Sequence, residues 1–502
     1  MEAFRKLGIS EEVLAKLESK GFSQPSEIQE QCIPTLLQGT KDIIGQAQTG
    51  TGKTAAFGIP LIERIQAEGK HTKALVLAPT RELAIQVATE IESFQSKSKL
   101  KVMAIYGGQS MMTERRELKK GIDIVVGTPG RITDHLEKGL LKIDQLQFLV
   151  LDEVDEMLNM GFQEDVEHIL EFSNDNKQML FFSATMPPKI LRIAQNHMKD
   201  YDIIRIAKKQ NTNALVTQQY YEVYAQDKSE LLHRLVDIQE NFYGIIFCQT
   251  KREVDAVAQN LIQRGYPSDA LHGDVAQAQR EKILSKFKEG KIKVLVATDV
   301  AARGIDVNNL THVINYSLPQ DAESYTHRIG RTGRAGKEGH AVSFVTPKEF
   351  SKIVYIKKIT KTDIQKCDVP SADEVIKTKR SLIGSILERE MACSKYDEFL
   401  QIAHEFLEKH QPEQAFAALL KHAFEKDLDP NSYHNIKPVT HGGGGGRSRG
   451  FGGGGSYGGR SGGRGGSRGG RSRGSSRGGF GGRSSRPDNR RPSEGFKVKR
   501  NK

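Results

Sequence analysis

Residues 46–54 read QAQTGTGKT, directly after the apolar run 42–45 and directly before a stretch with helical spacing that begins near Thr54 to Phe57. Strand, glycine-bearing turn and helix in that order form the context of a phosphate-binding loop. Gly50 and Gly52 let the backbone aim its amides at phosphate oxygens from a helix N-terminus, Lys53 reaches the terminal phosphates, and Thr54 offers a hydroxyl to Mg²⁺. Ala47 stands where the usual pattern has its first glycine. Gly50, Gly52 and Ala55 also satisfy a dinucleotide-binding fingerprint, or the segment is a plain turn, but the Lys-Thr pair has no role in either.

Working outward, short Val/Ile/Leu-rich runs at 42–45, 73–78, 101–106, 122–126, 147–151 and 178–182 read as buried parallel strands separated by amphipathic helices. The polar stretch 211–217 interrupts the pattern. It restarts at 220–224, 244–248, 293–297, 312–316 and 341–345, so the chain carries two successive α/β units. From 371 to 428 the spacing turns helical, through Leu382, Ile386, Leu387, Phe399, Ile402, Phe406, Ala415, Leu419 and Phe424. Those stripes read as an ordinary domain core in preference to a partner surface.

A second chemical motif lies at 149–155, LVLDEVD, an apolar strand that ends in carboxylates. At the C-terminal edge of a parallel sheet, beside the phosphate loop, Asp152 can hold Mg²⁺ through water and Glu153 can orient or deprotonate an attacking water. The bland alternative is a solvated acidic loop. The two motifs together establish a nucleoside triphosphatase and nothing finer.

The remaining strings narrow the class: GFSQPSEIQ at 21–29, PTRELA at 79–84, TPGR at 128–131, SAT at 183–185, ATDVAARGID at 297–306 and YTHRIGRTGRAG at 325–336. In number and order they make residues 4–347 resemble the DEAD-box family of ATP-dependent RNA helicases, within helicase superfamily two. The resemblance implies two tandem RecA-like parallel-sheet domains, with ATP and Mg²⁺ as cofactors. It also implies a bacterial type with a glycine- and arginine-rich tail.

It implies roles residue by residue. Phe4 would lie over the adenine and Gln29 would hydrogen-bond the adenine edge. Ala47, Gln48, Thr49, Gly50, Thr51, Gly52, Lys53 and Thr54 would surround the phosphates, and Asp306 would meet the ribose. Arg331 and Arg334 would act as arginine fingers on the γ-phosphate, completing the catalytic set of Lys53, Thr54, Asp152 and Glu153. Arg328, Arg331 and Arg334 recur every three residues, which sends them to roughly one side, although Arg328 can equally pair with a structural acid. Asp155, Ser183, Thr185, His327 and Arg328 would couple hydrolysis to RNA.

RNA contacts are implied for Pro79, Thr80, Arg81, Gly107, Gly108, Thr128, Pro129, Gly130 and Arg131 in the first unit, and for Gln277, Arg280, Thr298 and Gly304 in the second. Amides, a hydroxyl and guanidiniums suit phosphate and sugar, and nothing here suits base edges, so binding without sequence preference is expected. Val154 departs from the family's alanine. Two extra methyls in a packed junction cost about 1 to 3 kcal/mol unless a neighbour is smaller.

Composition completes the reading. Of the 502 residues, the segment 442–502 holds 24 of the 49 glycines, with thirteen arginines and three lysines against Asp488 and Glu494. Its net charge of +14 exceeds the whole chain's +12, so the rest is a near-neutral globular body at −2. Such a tail lacks the apolar content to offset its ordering entropy and is expected to be disordered. Arg-Gly-Gly repeats at Arg464, Arg468 and Arg477, with Phe451, Tyr457, Phe480 and Phe496 between, offer phosphate contact and base stacking, against the alternative of a solubilising linker.

No apolar run approaches the roughly 18 residues of a spanning helix, and residues 1–21 mix charge throughout, so a cytoplasmic protein with no membrane partner is expected. Four scattered cysteines, Cys32, Cys248, Cys367 and Cys393, are expected to be buried thiols. The expected organisation is an ATP-binding domain over 1–207, a linker over 208–217, a second RecA-like domain over 218–368, a helical extension over 369–435 and an RGG-type RNA-binding tail over 436–502. Expected partners are RNA single strands and short duplexes. A homodimer through the helical extension and RNA-decay or ribosome-assembly factors are further partners. No folded RNA-recognition module follows in this sequence, so no specific hairpin target is expected. The competing functions are an RNA-binding scaffold whose Val154 has weakened catalysis and a DNA helicase of the same superfamily; the motifs favour an RNA-stimulated ATPase that remodels RNA.

Overall fold

The computed structural model describes residues 1–439 apart from 49, 68–70, 96–99, 207–214, 306, 308–309, 334–336 and 394–395. Thr49, Asp306, Arg334, most of the expected linker and nearly all of the expected tail therefore lie outside the described residues.

The first lobe is built on seven parallel strands: β1 (Asp42–Gln46), β2 (Ala74–Leu77), β3 (Val102–Ile105), β4 (Ile124–Gly127), β5 (Phe148–Asp152), β6 (Gln178–Ser183) and β7 (Tyr201–Arg205). Their order is β3-β4-β2-β5-β6-β1-β7. The second lobe has β8 (Val216–Glu222), β9 (Gly244–Cys248), β10 (Ser268–Leu271), β11 (Val294–Thr298), β12 (His312–Asn315), β13 (Gly339–Val345) and β14 (Gln365–Cys367). Its order, β10-β11-β9-β12-β13-β8-β14, is the first lobe's order with seven added to each strand number. One topology has been used twice, as tandem RecA-like domains require.

Period-two alternation splits each strand's side chains between two cores. Phe148 and Val150 join one cluster with Val76 and Phe182, whereas Leu149 and Leu151 face the other with Leu75 and Phe181. In the second lobe Ile246 and Val296 face one side, Ile245 and Leu295 the other. Helices cover both faces, so the central strands are buried along their whole length and mainly apolar. Val154 is fully buried in the second of the first lobe's clusters.

Three strands were not evident as apolar runs: β7, β10 and β14, all at sheet edges. β7 is largely exposed, β10 is half covered, and β14 has three residues. An edge strand buries too little to need an apolar run. The expected linker is also too long at its end, because Val216 and Thr217 already pair with β13.

After the second sheet come helices Ala372–Cys393, Asp397–Leu407 and Pro412–Phe424. Val375 and Ile376 of the first pack with Tyr433. The other two bury nothing, and Phe399, Ile402, Phe416 and Leu419 are half to two-thirds exposed. The expectation of an ordinary core is therefore corrected: the stripes are real, but no element among the described residues covers them. Ile436, expected in the tail, packs against the second lobe's core. Cys32 and Cys248 are buried as expected, while Cys367 is half-buried and Cys393 exposed. No helix among the described residues is long and apolar enough to cross a membrane.

Candidate functional site

The phosphate loop leaves the C-terminal end of β1, and its start is tied to β6 by the Ala47 amide donating to Ser183 O at 3.0 Å. Gly50 and Gly52 both have left-handed φ, 79° and 85°. Gly52 caps the helix Lys53–Arg64, and a Cβ there would stand 2.3 Å from Gln29 Nε2. Gln29 Nε2 instead donates to Gly52 O at 3.0 Å, while its Oε1 accepts from the Ser26 amide at 3.0 Å. Thr51 Oγ1 donates to Gln48 O at 2.8 Å and closes the turn. Gln29 thus latches the loop as well as standing beside it.

Lys53 Nζ is buried and has no hydrogen-bond partner. An ammonium left so in a cleft is a site prepared for an anion. Asp152, at the end of β5, is 3% exposed, and its Oδ1 accepts the Glu153 amide at 3.0 Å. Burial pushes its carboxyl up to about 7, partly opposed by Lys53. Glu153 has a φ of 51°, one of two non-glycine residues in the left-handed region among the described residues. Strain of about 1 to 3 kcal/mol at such a position is tolerated where function holds it. Lys53, Thr54, Asp152 and Glu153 line a cavity of about 240 Å³ whose far wall is Ile305 and Arg331 of the second lobe. Buried lysine, loop amides, hydroxyl and paired carboxylates fit a nucleoside triphosphate with a divalent cation.

Phe4 is fully buried, edge-on to Phe22 at 6.2 Å, inside the first lobe's core. It has no face to offer an adenine, so its expected stacking role is corrected to a packing one.

A polar network within the first lobe continues across the cleft into the second. Asp155 Oδ2 accepts from the Ala184 amide at 3.1 Å, the Thr185 amide at 2.8 Å and Thr185 Oγ1 at 2.9 Å. Ser183 Oγ donates to Thr185 O at 2.6 Å. Thr185 Oγ1 also reaches Glu323 of the second lobe at 2.7 Å. Glu156 meets His327 and lies 2.6 Å from Arg303. His327 thus crosses the cleft. Arg328 does not: it is 3% exposed, forked onto Asp299 at 2.5 and 2.7 Å and bonded to Asn315 and the Ser317 carbonyl. Helix Ala322–Ile329 turns it into its own lobe, while Arg331 lies beyond the helix end, so the three-residue spacing does not put them on one side. Arg331 Nη1 donates to Ile305 O at 2.9 Å.

Pro79, Thr80, Arg81, Gly107, Thr128, Gly130 and Arg131 line a second cavity, about 450 Å³, completed by Arg280 and Val300 of the other lobe. Pro79, Thr80 and Arg81 follow β2; Thr128, Pro129, Gly130 and Arg131 follow β4, opening helices Arg81–Ser93 and Pro129–Glu137. Thr80 Oγ1 caps the former by accepting the Leu83 amide at 3.3 Å. Helix N-termini aimed into a groove suit phosphate. Gly107 and Gly108 lie against Arg81, whose Nη1 would stand 2.8 Å from a Cβ on Gly108. Thr298 caps helix Asp299–Ala302 in the second lobe.

Three of the expected RNA contacts have partners in the first lobe. Gln277 accepts from Arg81 at 3.2 Å, and Arg280 Nε and Nη2 both donate to Glu82 Oε1, at 2.8 and 2.6 Å. A Cβ on Gly304, φ 70°, would stand 2.4 Å from Thr80 Oγ1. All three are turned to the first lobe, where opposite charge or bare backbone is available. Glu82, Glu156, Arg303 and Glu323, which all make contacts across the cleft, were not singled out in the sequence. Their partners lie more than a hundred residues away, and only their position beside recognised motifs could have flagged them. Glu114 was missed too: fully buried, it accepts from Arg131 at 2.7 and 3.0 Å and meets His135 at 2.8 Å.

Fold and site together define a two-lobed nucleotide-driven machine with an RNA-suited groove across the same cleft. Residues 26–193 match the DEAD/DEAH box helicase family model and residues 227–336 the helicase conserved C-terminal domain. The chain is 46% identical to the DEAD-box ATP-dependent RNA helicase CshA of Geobacillus kaustophilus, over 84% of this chain and 90% of the relative. It is 45% identical to the ATP-dependent RNA helicase CshA of Listeria monocytogenes, over 89% and 86%. Among solved structures, S. cerevisiae Dbp5 bound to RNA and ADP BeF3 superposes with a TM-score of 0.68 at 30% identity, covering 76% of this chain and all of that one. The chain belongs to the DEAD-box family of ATP-dependent RNA helicases.

Proposed function

We propose that this chain binds RNA without sequence preference and locally separates short duplexes, with ATP closing the two lobes and hydrolysis reopening them. The observation that carries the reading is the buried, unpartnered Lys53 ammonium beside Asp152 and Glu153, in a cavity walled by Arg331 of the other lobe. Thr54 and Asp152 would hold Mg²⁺, which would draw charge from the phosphates. Lys53 and the loop amides bind the phosphates, Glu153 orients the attacking water, and Arg331 neutralises charge that develops on the γ-phosphate. Arg334 and Asp306, outside the described residues, are assigned the second arginine finger and the ribose contact.

Because the ATP cavity and the RNA groove share both lobes, each ligand favours the closed form, and this coupling is reciprocal. Displacing a few base pairs at about 1.4 kcal/mol each needs only several kcal/mol of differential binding. The working units are 1–207, a second lobe that begins at β8 (Val216) and runs to 368, and a helical extension over 369–435; the RGG tail adds electrostatic affinity for RNA. The uncovered faces of helices Asp397–Leu407 and Pro412–Phe424 pair with a second copy of the chain, and an RNA substrate argues for a cytoplasmic place of work.

ATP turnover without nucleic acid, with RNA and with matched DNA tests the reading. Stimulation by RNA supports it; equal stimulation by DNA favours a DNA helicase, and no turnover in any arm favours a scaffold.

A further inference from the structure

Glu323 stands in the first turn of helix Ala322–Ile329, in the second lobe, and the sequence reading assigned it nothing. Its Oε1 lies 2.7 Å from the Thr185 hydroxyl of the first lobe, and the same hydroxyl lies 2.9 Å from Asp155 Oδ2. A threonine hydroxyl has one proton to donate. It cannot serve two ionised carboxylates at once.

The surroundings decide which carboxyl takes that proton. Among the described residues Asp155 makes hydrogen bonds only to donors: the Ala184 and Thr185 amides reach Oδ2 at 3.1 and 2.8 Å, and the Glu156 amide reaches Oδ1 at 3.1 Å. Thr185 is the one hydrogen-bond partner of Glu323 among the described residues. The charged groups that face Glu323 are Asp155 and Glu156 on helix Val154–Asn159 and His327 one turn along its own helix. His327 and Arg303, the nearby cations, are both committed to Glu156. Burial pushes the Glu323 carboxyl above its ordinary range, against the Thr185 hydrogen bond and His327, with Asp155 and Glu156 adding to the rise.

We propose that Glu323 is a positioning residue that carries a proton when the lobes are closed, so that closure takes up one proton at this carboxyl. The carboxylic acid then donates to Thr185 Oγ1 and Thr185 donates to Asp155. Two protons fill two bonds, and the Ser183-Thr185 turn is fixed from both lobes. In the open form Glu323 faces water and titrates as an ordinary carboxyl. The sign follows: this contribution to closure is fully present below the ordinary carboxylate range and is lost as pH rises through the raised value of the closed form. His327, itself held above its ordinary value once burial is outweighed by Glu156, also favours closure at low pH, and it is common to every protein compared below.

The proposal rests on the reading that ATP and RNA close the lobes, and the two fail differently. The test is the RNA dissociation constant of the full chain at saturating non-hydrolysable ATP analogue, across roughly pH 5 to 8, for the wild type, Glu323→Gln and Glu323→Ala. The amide of Glu323→Gln donates to Thr185 without titrating. The wild type should bind RNA more weakly as pH rises, by up to about tenfold per pH unit beyond the slope of Glu323→Gln. Glu323→Gln should keep the tight affinity to higher pH, and Glu323→Ala should be weak throughout. Identical pH profiles for the wild type and Glu323→Gln, or equal affinities for the Gln and Ala variants at every pH, would overturn the proposal. If the analogue fails to tighten RNA binding by the wild type at any pH, it is lobe closure itself that fails.

Discussion

Glu82 and Arg280, 198 positions apart, meet across the cleft, two guanidinium nitrogens donating to Glu82 Oε1 at 2.6 and 2.8 Å, with each side chain about nine-tenths buried. Glu82 opens helix Arg81–Ser93 beside the RNA groove, and Arg280 belongs to helix Gln277–Lys288 of the other lobe. On the proposed two-state account, the pair forms when the lobes close. Removing one partner strands a buried charge, at a cost of about 3 to 5 kcal/mol, while the open form pays almost nothing. Glu82→Ala and Arg280→Ala should each weaken analogue-dependent RNA binding strongly, and the double variant should be no worse than the poorer single one. A double-mutant cycle on RNA affinity checks this; additive losses would mean that each side chain acts alone.

Glu153→Gln should abolish turnover and leave ATP and RNA binding intact, because only the group that handles water is changed. Its neighbour Asp152 stays in place, since the bond to it comes from the Glu153 backbone. Single-turnover hydrolysis beside equilibrium binding separates the two effects. Undiminished hydrolysis would take Glu153 out of the catalytic role.

Gln29 should enforce adenine, since its amide can pair with an amino and ring-nitrogen edge that guanine replaces with a carbonyl. The latch on Gly52 adds a second consequence: Gln29→Ala should lose the preference for ATP over GTP and also weaken binding of both nucleotides. Comparing kcat/KM for the two nucleotides in each protein checks it. Equal values in the wild type would show that the base is not read here.

The half of the candidate site around the phosphate loop was legible because it is local. Gly50, Gly52, Lys53 and Thr54 lie within one turn, Asp152 ends one apolar strand and Glu153 follows it. Central strands were legible for the same reason, each being an apolar run. What was not legible is long-range or negative: Glu323 against Thr185, Arg280 against Glu82, and the edge strands β7, β10 and β14. Phe4 and Arg328 show the complementary error. A motif gives a residue its neighbourhood, but burial in the core for Phe4, and Asp299 for Arg328, decide which way each side chain turns. The helical extension was legible in its periodicity and not in its exposure, because a stripe at 3.6 spacing looks the same whether or not a partner covers it.

The tail should supply affinity without chemistry. Truncation after His441 removes +14 of charge and none of the residues in either cavity. If the tail contacts about six phosphates of a single strand, deletion should reduce the salt slope of log K by roughly four, with kcat at saturating RNA nearly unchanged. A truncated protein with the full-length salt dependence, or with a collapsed kcat, would contradict this division of labour.

The central claim is that the ATP site is complete only when the second lobe closes on the first. Its most direct test is steady-state ATP turnover by the wild type and Arg331→Ala, each with and without saturating RNA, alongside ATP affinity. RNA should stimulate the wild type, and Arg331→Ala should bind ATP in the first lobe yet lose the RNA-stimulated rate by about 10³-fold or more. An Arg331→Ala protein that RNA still stimulates to the wild-type rate would show that the first lobe hydrolyses ATP unaided, and the two-lobe account would be wrong.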